Sequence, residues 1–549
     1  MNAVPPERSA PRAHAKTPSS RLGLSAVKRP AGAATRIPAV LLAPALLVTV
    51  AIALPIAYLL LRAAQADPAT LREIIWRPRL LQLLANTLLL AGTVVVTSTA
   101  VALPLAWLAT HARTRAHRLI TLFGVLPLAV PSYVGAFALL AASGPGGFVD
   151  AVTPWNLPTP RGFAGAVLIL TLFNFPYLFL NFWAAFRRLD PALTEAARTL
   201  GKTPLAAFAR VTLPSLRPAW LAGSLLIALH VLGDFSVVSL MRYETFSAAI
   251  YQQYTAAYDR VYSAWLALML LTLTGVIVWL ESRLLRRAFH ARTGTGVARP
   301  TPPVPLGPWR APAFLFAAVV TVATLILPLA SITYWLRLGL ANPFVLPEVT
   351  DALLRSVQAA ALAALTTTTL ALPLALIGVR YPGRRARFFA RVAYLGYATP
   401  PLALALAVIF FVLRITPPLY QTLPLLIMTY TLHFLAEATG PVRSALYLAT
   451  PRLEEAARTL GVSPARAFAR VTLPLIRPGL LASAALVFVS ALKELPIALL
   501  LAPTGFDTLA RNVWSYTEEA LFAEAAPYAL CIVLASAVFV GLLLRQERS

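Results

Sequence analysis

Charge is scarce in this chain. Asp, Glu, Lys and Arg make up only 12% of its 549 residues, against about 25% in an average soluble domain, whereas hydrophobic residues reach 58% and mean hydropathy is +0.73. That balance excludes a soluble globular fold. Cysteine is almost missing: Cys531 stands alone, so no intrachain disulfide can form and redox chemistry is not indicated. No G-x-x-x-x-G-K-[ST] phosphate loop occurs anywhere, which excludes nucleotide hydrolysis by this chain alone and leaves no catalytic residue to name. Residues 1–37 lack the apolar stretch of a secretion signal and are rich in Pro, Ala, Ser and Arg, so they read as a disordered cytoplasmic tail.

Long apolar runs are what the sequence does hold. A helix needs about 20 residues to cross a hydrocarbon core roughly 30 Å thick, and ten charge-poor runs qualify: 39–61, 80–110, 119–149, 162–186, 261–280, 311–336, 356–379, 392–413, 415–436 and 525–544. Two more begin at Ala219 and Gly479 and are interrupted by Asp234 and by Lys493-Glu494. Runs of this length without alternation are helices, the one open-ended structure that satisfies its own backbone in lipid. The expected fold is therefore an all-α integral membrane protein of about twelve transmembrane helices. The formal charge of +26 does not mark a nucleic-acid binder. With the N-terminus inside, 35 Lys and Arg residues fall in cytoplasmic segments and 10 in external ones, the positive-inside bias of a multi-pass protein with both termini in the cytoplasm.

Prolines at 300, 302, 303, 305, 308 and 312 crowd the segment 293–312, which reads as a cytoplasmic linker between two six-span halves, 38–292 and 313–549. Leu193–Pro218 matches Leu453–Pro478 at 19 of 26 positions, and LPLA at 103–106 recurs at 372–375. An even number of spans per half gives both copies one orientation, as in parallel repeats related by an axis along the membrane normal.

The most strongly repeated phrase lies between the fourth and fifth spans of each half, at 190–218 and 450–478. Asp190-Pro191 and Thr450-Pro451 each offer a cap followed by proline, which opens a helix. Gly201 and Gly461 end it, Thr203-Pro204 and Ser463-Pro464 start a second, and Pro214 and Pro474 are expected to close that one. Other readings are a helix-turn-helix, which would need a third helix and a soluble core, and a pair of amphipathic helices resting on lipid headgroups.

E-A-A, three residues, G, then L-P resembles the loop of ABC importer permeases that docks as a coupling helix on an ATPase subunit. The resemblance places Glu195, Ala196, Ala197 and Gly201 in the first copy of that motif, and Glu455, Ala456, Ala457 and Gly461 in the second. It implies an ABC importer permease fold in a bacterial inner membrane, an ATPase homodimer on the cytoplasmic side, an extracytoplasmic solute-binding protein, and ATP consumed by the partner with no cofactor held by this chain. GDFSVVSLMRYETFSAAIYQQY and LKELPIALLLAPTGFDTLARNVW are similar to fused twelve-span permeases for ferric iron, and fused thiamine permeases and phosphonate or polyamine relatives share parts of the pattern. An ion-coupled secondary transporter is the reading from a different class, and it would run without an ATPase.

Asp234 and Glu494, 260 positions apart, are symmetry mates inside the membrane. A carboxylate there costs at least about 2.5 kcal/mol, so it faces either a watery pathway or a partner: His230 for Asp234, Lys493 for Glu494. His433 has no second ligand at metal spacing and reads as a core histidine, with Glu437 one turn on at the cytoplasmic boundary. No metal site is expected. Tyr251, Tyr254, Tyr258, Tyr262, Trp514 and Tyr516 follow the charged spans on the external side, as an aromatic belt or as a platform for a binding protein.

Overall fold

The computed structural model describes residues 37–65, 78–112, 116–256, 259–288, 304–340 and 345–546, and within them the chain is helical throughout. The 1–37 tail therefore falls almost wholly outside the described residues, as does Tyr258. Seven helices are long and apolar enough to cross a membrane singly: Ala39–Ala64, Pro78–His111, Gly162–Phe186, Arg260–Leu284, Gly307–Gly339, Leu346–Arg380 and Pro464–Leu492. Three bent pairs raise the number to ten, against about twelve expected from the sequence; Leu423–Leu448 and Phe522–Gln546, which occupy the two remaining places, are less apolar or shorter in their apolar part. The spans are numbered one to twelve in chain order below.

Spans three and nine are not straight rods. His117–Ala129 turns by 95° into Ser132–Ala142, and Arg384–Ala398 turns by 103° into Pro401–Ile415. A residue that precedes proline is pushed out of the helical region, and Val130 before Pro131 and Thr399 before Pro400 both have extended backbones. The two bends are 269 positions apart, so the duplication carried the break with it. Span ten also differs from expectation. Its helix begins at Leu423 and runs to Leu448, so Glu437 lies well inside the helix, eleven residues before its end.

The second repeat is helical before position 313. Residues 293–303 are outside the described set, but Val304 already donates its backbone N–H to the His111 carbonyl at 2.7 Å, and span seven is helical from Arg310. Pro312 stands in the first turn of that helix, where an N–H has no partner to lose.

Side chains repeat along with the backbone. Thr97 bonds Thr171 at 2.6 Å in the first half, and Thr366 bonds Thr431 at 2.7 Å in the second. The halves also exchange parts: span one packs on spans eight and nine, and span seven packs on Ser132–Ala142 of span three. Trp335 Nε1–H donates to the Ala141 carbonyl at 2.8 Å across that second contact, while Tyr58 meets Phe411 edge-on across the first. Each half thus finishes the other, and neither buries its apolar faces alone.

Packing at the crossings fixes which glycines can change. A Cβ on Gly339 would lie 2.1 Å from the Ala523 carbonyl oxygen of span twelve, whereas one on Gly378 meets nothing within 4 Å. Gly339→Ala is expected to destabilise the detergent-purified protein by about 1–3 kcal/mol, and Gly378→Ala to leave it unchanged or raise it by about 0.5–1 kcal/mol. Equal shifts in thermal unfolding for both variants would contradict the packing described here.

Candidate functional site

Two features stand out, a cavity between the halves and a hinged element repeated on one face. The cavity, of about 380 Å³, is lined by both bends, Val130–Tyr133 and Tyr397–Pro401, and by spans four, five, ten and eleven. Asp234 and Glu494 both line it. Each sits where its helix stops, since Arg217–Gly233 ends one residue before Asp234 and Leu473–Leu492 ends two before Glu494. Each then caps the short helix that follows. Asp234 Oδ1 accepts the Val237 N–H at 2.8 Å, and Glu494 accepts the N–H of Ile497 at 2.9 and 3.1 Å and that of Ala498 at 3.2 Å.

The partners expected from sequence are therefore replaced. Asp234 takes its second bond from the Ser132 hydroxyl at 2.6 Å, not from His230, whose ring pairs with the Tyr177 hydroxyl at 2.9 Å and with the Leu226 carbonyl. Glu494 bonds backbone, not Lys493. A carboxylate one or two positions after a helix end lies within reach of the next helix's free N–H groups, which neighbour-counting along one helix does not reveal. His433 is buried and linked to the Gly396 carbonyl at 3.2 Å with Tyr397 stacked on its ring, the satisfied histidine expected, although it also borders the cavity. Among the described residues no group of three His, Cys, Asp or Glu is placed to hold a metal ion.

Pseudo-symmetry fails in one layer of this cavity. Tyr177 and His230 are joined at 2.9 Å; their mates 260 positions on, Glu437 and Ser490, are also joined at 2.9 Å, by different chemistry. Gly233 lies against Pro401 of the opposite half, while its mate is Lys493, which stands in the field of Glu437. Phe173 likewise corresponds to His433. The second half therefore lines the cavity with a carboxylate and an ammonium where the first supplies an aromatic ring and a glycine. Sequence reading did not single out this layer, because spans four and five differ from spans ten and eleven at most positions, so 177/437 and 233/493 do not stand out from the general drift.

The repeated elements form as two helices about a glycine. Pro191–Thr199 and Pro451–Thr459 end at Gly201 and Gly461, whose φ of +80° and +83° belongs to the left-handed region that suits glycine. Glu195, Ala196, Gly201 and their mates Glu455, Ala456, Gly461 are exposed, with Ala197 and Ala457 half-buried. Beside them Leu200, Leu205 and Leu460 are 81%, 78% and 84% exposed, an apolar surface with nothing of this chain upon it. Here the halves differ: the first copy's helix stops at Ser215, directly after Pro214, and turns by 61° into Arg217–Gly233, as expected, whereas Pro474 does not close its helix, which runs on through a wider π-type turn at Phe468–Thr472 as Pro464–Leu492. After the charged spans, where an external aromatic belt or platform was expected, Phe246–Thr255 and Leu509–Glu518 are helices, but Trp514 is buried and meets Phe235 and Tyr251, and Tyr254 meets Phe410. These aromatics seal the two halves together instead of forming an exposed belt.

A shared cavity between two six-span repeats, with duplicated hinged helices exposed on one side, defines a membrane-spanning transporter subunit. The chain belongs to the family described as binding-protein-dependent transport system inner membrane components, whose model matches residues 102–290 and again 367–548, and it is the permease of an ABC transporter. It is 32% identical to the Fe(3+)-transport system permease protein FbpB 2 of Haemophilus influenzae, over 91% of this chain and 96% of that one. Shorter relatives match one repeat's length: the sulfate transport system permease protein CysT of Escherichia coli is 28% identical over 35% of this chain and 70% of its own, and the molybdenum transport system permease protein ModB of Azotobacter vinelandii is 32% identical over 28% and 70%.

Capping and charge can be separated at Asp234. Asp234→Asn keeps an acceptor for the Val237 N–H, so thermal stability is expected to hold within error, while Asp234→Ala loses about 0.5–2 kcal/mol. Identical melting of the two variants would remove the capping role.

Proposed function

We propose that this permease imports ferric iron, receiving it from an extracytoplasmic binding protein and drawing energy from an ATPase dimer seated on the elbows at 190–218 and 450–478. The similarity that carries the cargo is the 32% identity to an Fe(3+)-transport permease along nearly the full length of both chains. The sulfate and molybdenum relatives share only one repeat's worth of sequence. Cavity chemistry agrees with a cationic cargo, because Asp234, Glu437 and Glu494 bring three carboxylates to it against one ammonium, Lys493. Carboxylates set inside a bilayer are placed along ion or substrate paths or paired across interfaces. Capping and Ser132 hold Asp234 and Glu494 at the cavity wall within their own halves, which supports the first of these roles.

Glu195, Ala196, Ala197 and Gly201, with Glu455, Ala456, Ala457 and Gly461, are the proposed docking residues. The exposed leucines around them support that reading, because apolar side chains at 78–84% exposure on a charged helix call for a partner. Two equivalent sockets fit a symmetric ATPase, whose closing and opening on nucleotide would rock the halves about the cavity between inward and outward access. Both termini and both elbows then lie in the cytoplasm, in keeping with the Lys and Arg bias.

In cells whose own copy is deleted, uptake of labelled ferric iron is expected to return with the wild-type chain and uptake of thiamine or sulfate to be indifferent to it; the reverse pattern would overturn the cargo. An ATPase subunit is expected to co-purify with the tagged wild type and to be lost from a Gly201→Val, Gly461→Val double variant, since neither valine tolerates positive φ. Glu437→Gln is expected to lower iron uptake by about tenfold or more, on the scale of removing one group from a buried polar path, with the ATPase still bound. Undiminished uptake would take Glu437 out of the pathway.

A further inference from the structure

The two elbows are not held alike. In the second, Glu454, the residue before the E-A-A motif, accepts from Arg380 Nη2 at 2.7 Å and from the Thr472 hydroxyl at 2.8 Å, and Arg380 also reaches Thr472 at 3.3 Å. Arg380 and Glu454 are only 19% and 16% exposed, so water screens them less than it does a surface pair. In the first elbow the matching residues are Thr194 and Thr212, 3.5 Å apart, and among the described residues no ion pair ties that elbow to a span. It is braced within itself instead: Asp190 caps Ala192 and Thr203 caps Ala206, whereas Thr450 and Ser463 make no such bond.

Arg380 ends span eight, the 36-residue helix Val345–Arg380. Eleven residues into the same helix, Ser356 Oγ accepts the backbone N–H of Leu509, the first residue of the external helix Leu509–Glu518, at 2.8 Å. Twenty-four residues, Pro373 among them, separate the two bonds, or about 36 Å at roughly 1.5 Å per residue. One helix thus grips an external helix along its first half and an elbow at its last residue. Span two repeats the outer grip, with Thr87 accepting from Phe246 at 3.1 Å, but among the described residues not the inner one. Its last residue, His111, is the mate of Arg380, 269 positions earlier, and it lies against Trp107 and Phe186 while its carbonyl holds Val304 of the linker.

We propose that span eight is a strut joining the external face to the second elbow, with Arg380 the positioning residue that fixes this elbow to it through Glu454, a link that has no counterpart at His111 in the first half. The proposal rests on the reading of the elbows as ATPase sockets. Coupling passes between distant sites through rigid elements with firm contacts at each end, and a helix joined to the elbow by a short ion pair and a shared threonine is such an element. A displacement of Leu509–Glu518 along the membrane normal therefore moves the second socket directly, while the first socket follows only through packing.

The experiment uses the full transporter, the tagged chain purified with its ATPase, together with iron uptake in cells at matched membrane abundance. Failure of any ATPase to co-purify with wild type would strike at the socket reading. With the ATPase present, Arg380→Ala is expected to retain it yet to lower iron imported per ATP hydrolysed by about fivefold or more, the lower end of ordinary coupling energies. His111→Ala, the same place in the first half, is expected to stay within about twofold on that scale. Exchanging the pair, Arg380→Glu with Glu454→Arg, is expected to restore most of the ratio, which a merely folding-related defect would not do. The strut is overturned if Arg380→Ala keeps the wild-type ratio, if His111→Ala loses as much, if the exchange restores nothing, or if Arg380→Ala sheds the ATPase altogether, which would make the pair part of docking.

Discussion

Hydrocarbon offers no hydrogen bonds, and this fact governs where the chain can depart from a helix. Four interruptions occur at membrane depth, at Val130-Pro131, Thr399-Pro400, Asp234 and Glu494, and all of them border the one cavity. Two place proline at the break, so no N–H is left over at that residue. The other two place a carboxylate where the next helix begins, and the freed N–H groups of Val237, Ile497 and Ala498 point at it. Irregular backbone and charge are thus answers to each other: the broken helices need acceptors, and the carboxylates need donors. What remains is a polar lining around a space, the minimum that a pathway requires.

The same constraint explains why the halves interlock. A single six-span repeat with two broken helices would leave those breaks facing lipid. Laying span one over spans eight and nine, and span seven over span three, covers each break with a helix from the other half. Trp335 bonded to Ala141 and Trp514 packed on Phe235 are the polar and apolar seams of that arrangement. The cavity then lies on the axis relating the halves, where a small rocking motion changes its access most.

Much of this was legible in the sequence. The crossings, the duplication, the glycine hinges and the pairing of Asp234 with Glu494 all follow from local signals that one helix or one turn enforces. The bends of spans three and nine were also written there, in V-P-S and T-P-P, but an apolar run of full length masks a break, since hydropathy averages over it. Partners were harder. Helical spacing offers His230 as one partner for Asp234, yet the helix ends at Gly233, so i to i+4 reasoning has no helix to act on. Glu437 looked like a boundary residue because the apolar run stops there, although its helix continues eleven residues to Leu448. Trp514 looked like an interfacial anchor because a sequence does not say which external helix meets the opposite half.

Fusion of the two repeats into one chain has a physical consequence that a homodimer cannot share. When both halves come from one gene copy each, every change appears twice on the axis, and a charge placed at a cavity wall meets its own like charge across it. Here Glu437 and Lys493 occur once, opposite Tyr177 and Gly233, so the second half can present a carboxylate beside an ammonium without doubling either. Arg380 and Glu454 also occur once, opposite His111 and Thr194. Both departures from symmetry fall in the same half, and both substitute ionic chemistry for aromatic or hydroxyl chemistry at a helix contact. The outer grips at Thr87 and Ser356 stay paired, as do the threonine bridges 97–171 and 366–431. The spans have drifted along their whole length while the elbows have kept 19 of 26 positions; against that background the threonine bridges and outer grips that hold the helices in register persist in duplicate, and the ionic groups at the cavity and at Arg380 and Glu454 do not.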